Sequence, residues 1–506
     1  MIRSIGIALL VGGTAGLGGA AAVPAGAATG DLAADLDAIL KDGRLTGATV
    51  DAVVRDAGTG RSLYDRNGAG PVMPASNNKL QTSSAAFDIL GTGYRFRTAV
   101  LVKGRNLYLR GTGDTTMRAA EYDRLAAAVA ARGIKKVGGD LVADDTWFDA
   151  KRTPDGWDPT DLQYAYAGQT SALTISPNDT FDAGSVKVSV APGAAGAPVK
   201  VGLSPATGVV KIDNRATTGP AGSASTLAVN RANGGNTIVV TGSLPAGAPA
   251  AEVLRTVENP TLYAADVFRR ALKAHGVRVS GATERGRTPA GAKQVAARTS
   301  MPLSKLAVPF LKLSNNVIAE TLVKAVGRKA AGKGTWAAGL PAIRTDLKKL
   351  GVDTSQVAMT DGSGLNRSNR TTSRQLSTLL RSVQKRPWFP SWYAALPIAG
   401  RTDPLVGGTL AARMGGTAAA GNVHAKTGTL TGVSALSGYV TDPDGRKLVF
   451  SVVLNGYSGP APKDIEDKIA VRLAGGASAT ALRAPAGTAR TGGGNLEPTW
   501  VDGLRP

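Results

Sequence analysis

The sequence predicts an α+β protein in which a long, mainly β segment is inserted between two mixed segments. Alternating apolar residues over Thr49–Arg55 and Ser434–Leu454 indicate strands or hairpins near both ends of the chain. Apolar residues at helical spacing follow each of them. Between about Arg97 and Thr299, short β-like runs alternate with Gly, Pro and Asn turns. A core built from both ends therefore encloses a β-rich middle.

The individual elements follow from the same patterns. Helical spacing predicts helices opening at Ser76 and ending before Gly91, at Ala119–Ala131, Leu262–Ala274, about Pro302 to Gly327, Ala337–Leu350, Ser373–Gln384 and Lys463–Leu473. The stretch from Ala216 to Ala250 is rich in small residues and proline, and we expect loops there. These patterns divide the chain into residues 28–96 and 299–475 as one domain, 97–298 as inserted β-rich subdomains, and 476–506 as a loose tail.

Composition excludes several kinds of chemistry. The 506 residues, 43% hydrophobic and 19% charged, are enough for two or three folded domains. The chain has no cysteine, which excludes thiol catalysis and disulfides. It has two histidines, which excludes a three-histidine metal site. We expect neither a metal nor a cofactor.

The N-terminus has the pattern of an export signal. Arg3 precedes the apolar run Ile5–Leu17, and Ala25-Gly26-Ala27 fits a cleavage site. The apolar run is short and rich in glycine, and no later stretch reaches the length of a membrane span. We therefore expect a signal peptide at residues 1–27 and a secreted or cell-wall-associated protein with no transmembrane segment.

The net charge of +22 should attract polyanions. Nucleic acid is a poor candidate, because aromatics make up only 5% of the chain, basic residues are scattered and no recognition motif is present. Anionic wall polymers or membrane headgroups are more natural partners of an exported protein. A general surface charge without a specific partner is an equal interpretation.

Ser76-Asn77-Asn78-Lys79 is the first candidate for chemistry. Residues three apart on a helix share a face, so Lys79 can reach the Ser76 hydroxyl. A serine becomes an effective nucleophile when a base removes its proton, and a partly desolvated lysine near other cations can be that base. Taken alone, the motif is better explained as a helix start with a surface lysine.

Two further motifs reverse that interpretation. Ser314-Asn315-Asn316 fits S-x-N at the start of or between helical segments, and Lys426-Thr427-Gly428 fits K-T-G before a glycine turn and a hairpin. Each alone would be explained by a helix cap or a strand end. Together they follow the order S-x-x-K, S-x-N, K-T-G, which is that of penicillin-binding proteins and serine β-lactamases.

The two histidines are weaker candidates. His275 follows a helical run and precedes a glycine, so a helix cap is the simpler interpretation. His424 shares a predicted strand face with Lys426, which is compatible with shaping the site. A general-base role has little support.

Spacing and further sequence stretches narrow the family. Ser76 and Ser314 are 238 positions apart, which does not fit class A β-lactamases. The informative stretches are Pro74–Leu80, Gly111–Asp114, Asp144–Phe148, Ser171–Leu173, Asn259–Tyr263, Leu313–Asn316, Asp361–Leu365 and His424–Thr429. On these, the chain resembles the D-alanyl-D-alanine carboxypeptidase/endopeptidase family, the low-molecular-mass class C penicillin-binding proteins of peptidase family S13, of actinobacterial type.

The resemblance implies a β-lactamase/transpeptidase-like domain, an antiparallel sheet flanked by helices, with large mainly β insertions. One position departs from the family pattern. Asn78 stands where an apolar residue such as methionine is often found. We expect this change to alter packing under the helix and not the chemistry.

The resemblance also implies the catalytic roles. Ser76 attacks the carbonyl of the D-Ala-D-Ala peptide bond, and Lys79 is the base for acylation. Ser314 relays the proton to the leaving amine, with Lys426 nearby. Asn316 hydrogen-bonds Lys79 and the substrate amide.

Substrate-binding residues follow from the same resemblance. The backbone N–H groups of Ser76 and Thr429 form an oxyanion hole. Lys426, Thr427 and Thr429 receive the terminal carboxylate, and Gly428 lets the substrate pair closely with the strand edge. The Asp361-Gly362-Ser363-Gly364 stretch lies near the cleft, with no chemistry assigned to it.

The resemblance says less about the residues that would contact the substrate side chain. Trp157 and Tyr166 lie in a stretch that by resemblance contributes to the wall recognising the substrate side chain. Leu430, which follows Lys-Thr-Gly-Thr, would line the same pocket. Buried aromatic packing is an equal interpretation for Trp157 and Tyr166.

The predicted function is an exported serine D-alanyl-D-alanine carboxypeptidase that trims peptidoglycan stem peptides, with D,D-endopeptidase action as an addition. No dedicated deacylating base is evident, so penicillin should inhibit by persisting on Ser76. One alternative is a serine β-lactamase or esterase on the same scaffold. Another is a catalytically silent cell-wall binding protein, which the intact motif residues argue against.

Overall fold

The computed structural model describes residues 32–475. The helices in that range are α1 (Leu32–Ile39), α2 (Asn78–Leu90), α3 (Ala119–Ala131), α4 (Pro260–Ala274), α5 (Leu303–Lys312), α6 (Asn316–Ala331), α7 (Trp336–Lys349), α8 (Ser373–Val383), α9 (Phe389–Ala394) and α10 (Lys463–Leu473). None of these helices is both long and apolar enough to span a bilayer. The predicted signal peptide (residues 1–27) and tail (476–506) lie outside the described residues.

The strands of the same range complete the element order. They are β1 (Thr49–Asp56), β2 (Ser62–Arg66), β3 (Arg97–Lys103), β4 (Asn106–Gly111), β5 (Lys136–Val137), β6 (Leu141–Asp144), β7 (Ser185–Ala191), β8 (Lys200–Ser204), β9 (Lys211–Asn214), β10 (Thr217–Gly219), β11 (Ala228–Arg231), β12 (Thr237–Thr241), β13 (Ser243–Pro245), β14 (Ala251–Thr256), β15 (Arg278–Val279), β16 (Thr283–Arg285), β17 (Lys293–Thr299), β18 (His424–Leu430), β19 (Val433–Thr441) and β20 (Lys447–Asn455).

A five-stranded antiparallel sheet joins the two ends of the described chain. Its order is β18-β19-β20-β1-β2, and Val53 of β1 lies opposite Ser451 of β20. Residues alternate between its two faces, as a pleated strand requires. Val453 and Ala435 pack against a core that includes helices α2 and α5–α9, whereas Phe450 and Leu436 pack against α1 and α10. The predicted α+β class, with an antiparallel sheet flanked by helices, is confirmed.

The middle of the chain builds its own sheets and its own core. A second five-stranded sheet has the order β16-β6-β4-β3-β17, and smaller sheets accompany it. Its apolar core includes Tyr122 and Phe268, which face each other between α3 and α4. Within 216–250, loops at 220–227, 232–236 and 246–250 separate the short strands β10 to β13, which pair in register. The domain boundaries themselves stay a prediction.

The helical stretch predicted from about Pro302 to Gly327 consists of two helices, α5 and α6, with Ser314 between them, which is one of the two places the sequence allowed for the S-x-N motif. The chain breaks at Ser314, which takes a left-handed backbone with φ of 59°. Asn315 then caps α6, since its side chain accepts a hydrogen bond from Ile318 N at 3.0 Å. Helix α6 continues to Ala331, where Gly332 ends it with φ of 69°. This break projects Ser314 out of the helix and toward the strand β18.

Candidate active site

The first motif lies on a strained turn before α2. Ala75–Asn77 form a 3₁₀ turn, and Ala75 has φ of 45°, a conformation rare for a residue with a side chain. Lys79, on the first turn of α2, is fully buried and its Nζ donates to Ser76 Oγ at 2.8 Å. The same Nζ donates to the Ser363 carbonyl oxygen at 2.8 Å. Ser76 itself is only half-buried. A residue that is paired with a buried lysine therefore remains accessible to a substrate.

The turn is held against strand β18. In the amide orientation that satisfies both of its ends, Asn77 donates to the Lys426 carbonyl oxygen at 2.8 Å. A Cβ at Gly428 would lie 2.8 Å from the Pro74 carbonyl oxygen and 3.1 Å from Ser76 N. Glycine at 428 is therefore required for the strand to pass this close to Ser76. That is a different reason from the substrate pairing predicted from the sequence.

The second and third motifs form another serine–lysine pair. Lys426 Nζ donates to Ser314 Oγ at 2.9 Å and to the Thr427 carbonyl oxygen at 2.8 Å. Ser314 is 7% exposed and Lys426 is fully buried. The left-handed backbone at Ser314 aims its hydroxyl at the strand. Two Ser–Lys pairs thus border the same short stretch of β18.

Asn316 begins α6 and is half-buried. Its Nδ2 donates to the Tyr166 carbonyl oxygen at 2.9 Å. This bond ties the second motif to the segment that carries the predicted pocket wall. The hydrogen bond expected between Asn316 and Lys79 stays a prediction.

Two threonines of β18 differ in how their hydroxyls are used. Thr427 Oγ1 donates to Thr409 Oγ1 at 2.7 Å. Thr409 lies in a 3₁₀ turn, Gly408–Leu410, and could not be predicted as part of the site because it belongs to none of the sequence motifs. Thr429 is 4% exposed, and within residues 32–475 its Oγ1 has no hydrogen-bond partner. A buried hydroxyl without a partner is available to a ligand.

The predicted wall residues come together beside the turn. Trp157, Tyr166 and Leu430 share one apolar cluster with Ala75 and with Leu365, the last residue of the Asp361–Leu365 stretch. Trp157 is 6% exposed, and its indole N–H donates to an Asp361 carboxylate oxygen at 2.9 Å. Packing therefore accounts for Trp157, and Tyr166 is the more exposed of the two aromatics.

The loop Asp361–Leu365 connects the wall to the lysine. The Asp361 carboxylate accepts from the backbone N–H groups of Gly364 (2.8 Å) and Asn366 (2.7 Å). On the other side, Asn78 Nδ2 donates to the Asp361 carbonyl oxygen at 3.0 Å. The expectation that Asn78 changes only packing is thus incomplete, because its amide is a hydrogen-bonding anchor of this loop.

Neither histidine is suited to be the base. His424 is stacked on Tyr393, with ring centroids 4.3 Å apart. Burial, together with the nearby Lys312 ammonium, lowers the pKa of His424 to about 4. Burial also lowers the pKa of Lys312 to about 8. His275 ends α4 and pairs with Asp123 at 2.8 Å, within the middle segment.

Comparison with known proteins gives a consistent family. A sequence profile of the D-Ala-D-Ala carboxypeptidase 3 (S13) family matches residues 32–475. The chain is 49% identical over 493 residues to a D-alanyl-D-alanine carboxypeptidase of Actinomadura sp. strain R39, which covers 94% of this chain and 91% of that protein. It is 28% identical over 434 residues to the D-alanyl-D-alanine carboxypeptidase DacB of Haemophilus influenzae, covering 83% of this chain and 88% of that protein.

Solved structures agree in fold. The crystal structure of penicillin binding protein 4 (dacB) from Haemophilus influenzae matches with a TM-score of 0.75 and 26% identity, over 87% of this chain and 98% of that one. The same protein complexed with a β-lactam matches with a TM-score of 0.69 and 25% identity, again over 87% and 98% of the two chains. The likeness extends across the inserted segment as well as the motif-bearing one.

Proposed function

The chain belongs to the D-Ala-D-Ala carboxypeptidase 3 (S13) family of serine-type peptidases, and on that premise we propose that it cleaves the terminal D-Ala-D-Ala bond of peptidoglycan stem peptides through an acyl-enzyme on Ser76. The chain is accordingly an enzyme of the serine-type carboxypeptidase class. The observation that carries the mechanism is the 2.8 Å hydrogen bond between Lys79 Nζ and Ser76 Oγ. It joins a reachable hydroxyl to a buried amine.

Acylation begins with proton transfer from the Ser76 hydroxyl to a neutral Lys79 amine. The Ser76 oxygen then attacks the peptide carbonyl, and the carbonyl oxygen becomes an oxyanion. Backbone N–H groups of Ser76 and Thr429 stabilise that charge. The closeness of Gly428 to Ser76 N supports this arrangement, because it brings the strand and the turn within contact distance.

The leaving amine needs a proton, and it receives the one that Lys79 took from Ser76. Ser314 relays this proton to the amine, which leaves Lys79 neutral again, while Lys426, 2.9 Å from Ser314 Oγ, keeps its charge and balances the site. The terminal carboxylate of the leaving D-alanine binds at the Lys426 end of β18 and at Thr427 and Thr429. The partnerless Thr429 hydroxyl supports this role. Water then hydrolyses the ester on Ser76.

The acyl part of the substrate extends along the apolar wall formed with Tyr166 and Leu430. We propose that the stem-peptide side chain contacts that wall. Cross-linked peptides are proposed as further substrates, which would add D,D-endopeptidase activity. Penicillin acylates the same serine and is released slowly, since no dedicated deacylating base was predicted.

The setting of the activity follows from the substrate. We propose that the protein is exported, with residues 1–27 as its signal peptide, and acts outside the cytoplasm. Its net charge of +22 supports an additional attraction to anionic wall polymers. Binding to teichoic polymer that weakens between low and high salt is the expected result, and salt-independent binding would remove that part of the proposal.

The acyl-enzyme is tested with purified protein and fluorescent penicillin. Wild type and Ser62→Ala, which changes an exposed serine of β2, should both be labelled. Ser76→Ala should not be labelled, and mass spectrometry of the digested adduct should locate the label on Ser76. Well-folded wild-type protein that takes up no label would reject the proposal.

The bond that is cut is identified from muropeptides. Incubation with pentapeptide muropeptides should release free D-alanine and leave tetrapeptides. Incubation with cross-linked dimers tests the endopeptidase part, where monomers are the expected product. Rapid turnover of nitrocefin without a persistent adduct would instead favour the β-lactamase alternative.

A further inference from the structure

A buried carboxylate lies beneath the proposed site and has no part in the mechanism described above. Glu320 is in α6, four residues after Asn316, and it is fully buried. A carboxylate in a protein core is costly unless hydrogen bonds compensate for lost water. Its partners therefore indicate what the charge is used for.

Three N–H groups donate hydrogen bonds to the Glu320 carboxylate. The Gly362 N–H is shared by both carboxylate oxygens, at 3.0 and 3.1 Å. The Ser363 N–H donates to one oxygen at 2.7 Å. The Trp336 indole N–H donates to the other at 2.7 Å. Glu320 thus fixes two successive peptide groups of the Asp361–Leu365 loop.

The same loop residue meets the catalytic lysine. The Ser363 N–H donates to Glu320, and the Ser363 carbonyl oxygen accepts a hydrogen bond from Lys79 Nζ at 2.8 Å. The loop has little freedom to move away from this position. A Cβ at Gly362 would collide with Val323 of α6, and a Cβ at Gly364 would collide with the Ala75 carbonyl in the turn that carries Ser76.

Charged groups surround Glu320 on each element packed against it. Burial, and then the Asp361 carboxylate in the loop, raise the pKa of Glu320 above its usual range. Lys324 lies one turn further along α6, and the Glu320 carboxylate is close enough to favour the charged form of this lysine. The Lys324 ammonium also pairs with Asp149 at 2.6 Å. Lys79 approaches from α2. The N–H donors around Glu320 favour its ionised form.

We propose that Glu320 is a positioning residue that holds the Gly362–Ser363 backbone so that the Ser363 carbonyl keeps Lys79 Nζ directed at Ser76. The proposal rests on the function proposed above for Lys79. Nothing in it requires Glu320 to touch the substrate. It assigns to the Asp361–Leu365 loop a role that the sequence did not suggest, that of a platform between α6 and the catalytic lysine.

Glu320→Gln tests the proposal. A glutamine oxygen can still accept, but its NH₂ group would face an N–H donor, so the loop should move. We expect the second-order rate of penicillin acylation to fall about 100-fold, the size of effect that follows small displacements of reacting groups. The acid limb of the pH–rate profile should also move to lower pH, because a Lys79 ammonium that loses the Ser363 carbonyl as an acceptor is deprotonated more easily.

Asp114→Asn is the matched control. Asp114 is a buried carboxylate of the middle segment, 1% exposed, which accepts hydrogen bonds from Thr116 and Arg298. It should cost stability without moving the acid limb. If Glu320→Gln acylates at the wild-type rate, or if its acid limb stays in place as in Asp114→Asn, the positioning role is refuted.

Two further measurements separate this inference from the proposed function. A crystal structure of Glu320→Gln should show Lys79 Nζ more than about 3.5 Å from the Ser363 oxygen, beyond hydrogen-bond range. An unchanged distance would overturn the proposal even if wild type proved unreactive with penicillin.

If Glu320→Gln does not fold, Trp336→Phe removes one donor and makes Glu320 easier to protonate. Its acylation should then fall more at pH 6 than at pH 8, and an equal fall at both would overturn the proposal.

Discussion

Replacing Gly428 by alanine should displace the turn that carries Ser76. The new Cβ would lie 2.8 Å from the Pro74 carbonyl oxygen and 3.1 Å from Ser76 N, whereas ordinary contacts begin near 3.4 Å. The turn or the strand must therefore move by roughly 0.6 Å. Because displacements of about 1 Å cost near 100-fold in rate, we expect acylation by penicillin to slow about 10-fold. Overpacking of this kind should also lower the free energy of unfolding by about 1–3 kcal/mol.

The assay compares stopped-flow acylation and urea unfolding for wild type, Gly428→Ala and Gly93→Ala. A Cβ at Gly93 would have no atom within 4 Å, and its backbone needs no left-handed conformation. Gly93→Ala should therefore match wild type in rate. Acylation by Gly428→Ala at the wild-type rate, with unchanged unfolding, would refute the reasoning that the strand contacts the nucleophile turn.

Three other perturbations test separate features. Asp51 is fully buried in β1, and burial raises its pKa to about 7, so the stability it contributes near pH 4 should be lost as pH rises through 7. Urea unfolding of Asp51→Asn should show a decline in the free energy of unfolding over this pH range that is smaller than that of wild type by at most about 4 kcal/mol, and an equal decline in the two proteins would contradict the prediction. Because the chain has only two histidines, NMR can follow His424, which should titrate near pH 4, and Lys312→Met should raise its pKa. An unchanged pKa of His424 in Lys312→Met would disprove the prediction. Thr409→Val removes the partner of the Thr427 hydroxyl and should raise KM for a D-Ala-D-Ala peptide about 10-fold with little change in kcat; a lower kcat alone would point elsewhere.

Elements with a regular apolar period were predicted well from the sequence. Helix α10 was expected at Lys463–Leu473 and ends at the same residues, because its apolar side chains recur at helical spacing. The left-handed break between α5 and α6 could not be located from the sequence for a physical reason. Apolar spacing continues through it, and the left-handed backbone occurs at Ser314, where no glycine announces it.

The motif residues could be predicted from the sequence, but the residues that hold them in place through hydrogen bonds could not. S-x-x-K, S-x-N and K-T-G are local patterns, and the structure brings them together around β18. Glu320 and Thr409 carry no such pattern. Their importance comes from partners distant in sequence, such as the Gly362 N–H for Glu320. A polar residue within a helix looks like a solvated one until the segment that covers it is known.

The topology of the central sheet also sets the order in which the protein can become active. Strand β1 lies between β2 and β20, so the first strand of the fold cannot complete its pairing until the last strand has been synthesised. During synthesis, the helix with Ser76 and Lys79 emerges long before β18 to β20, while the strands of the middle segment find their partners among themselves. Contacts between such distant parts of a chain form late. A chain that ends before β18 therefore carries Ser76 and Lys79 without the strand that bears Lys426 and Thr429, so the proposed site can be complete only after most of the chain has been made.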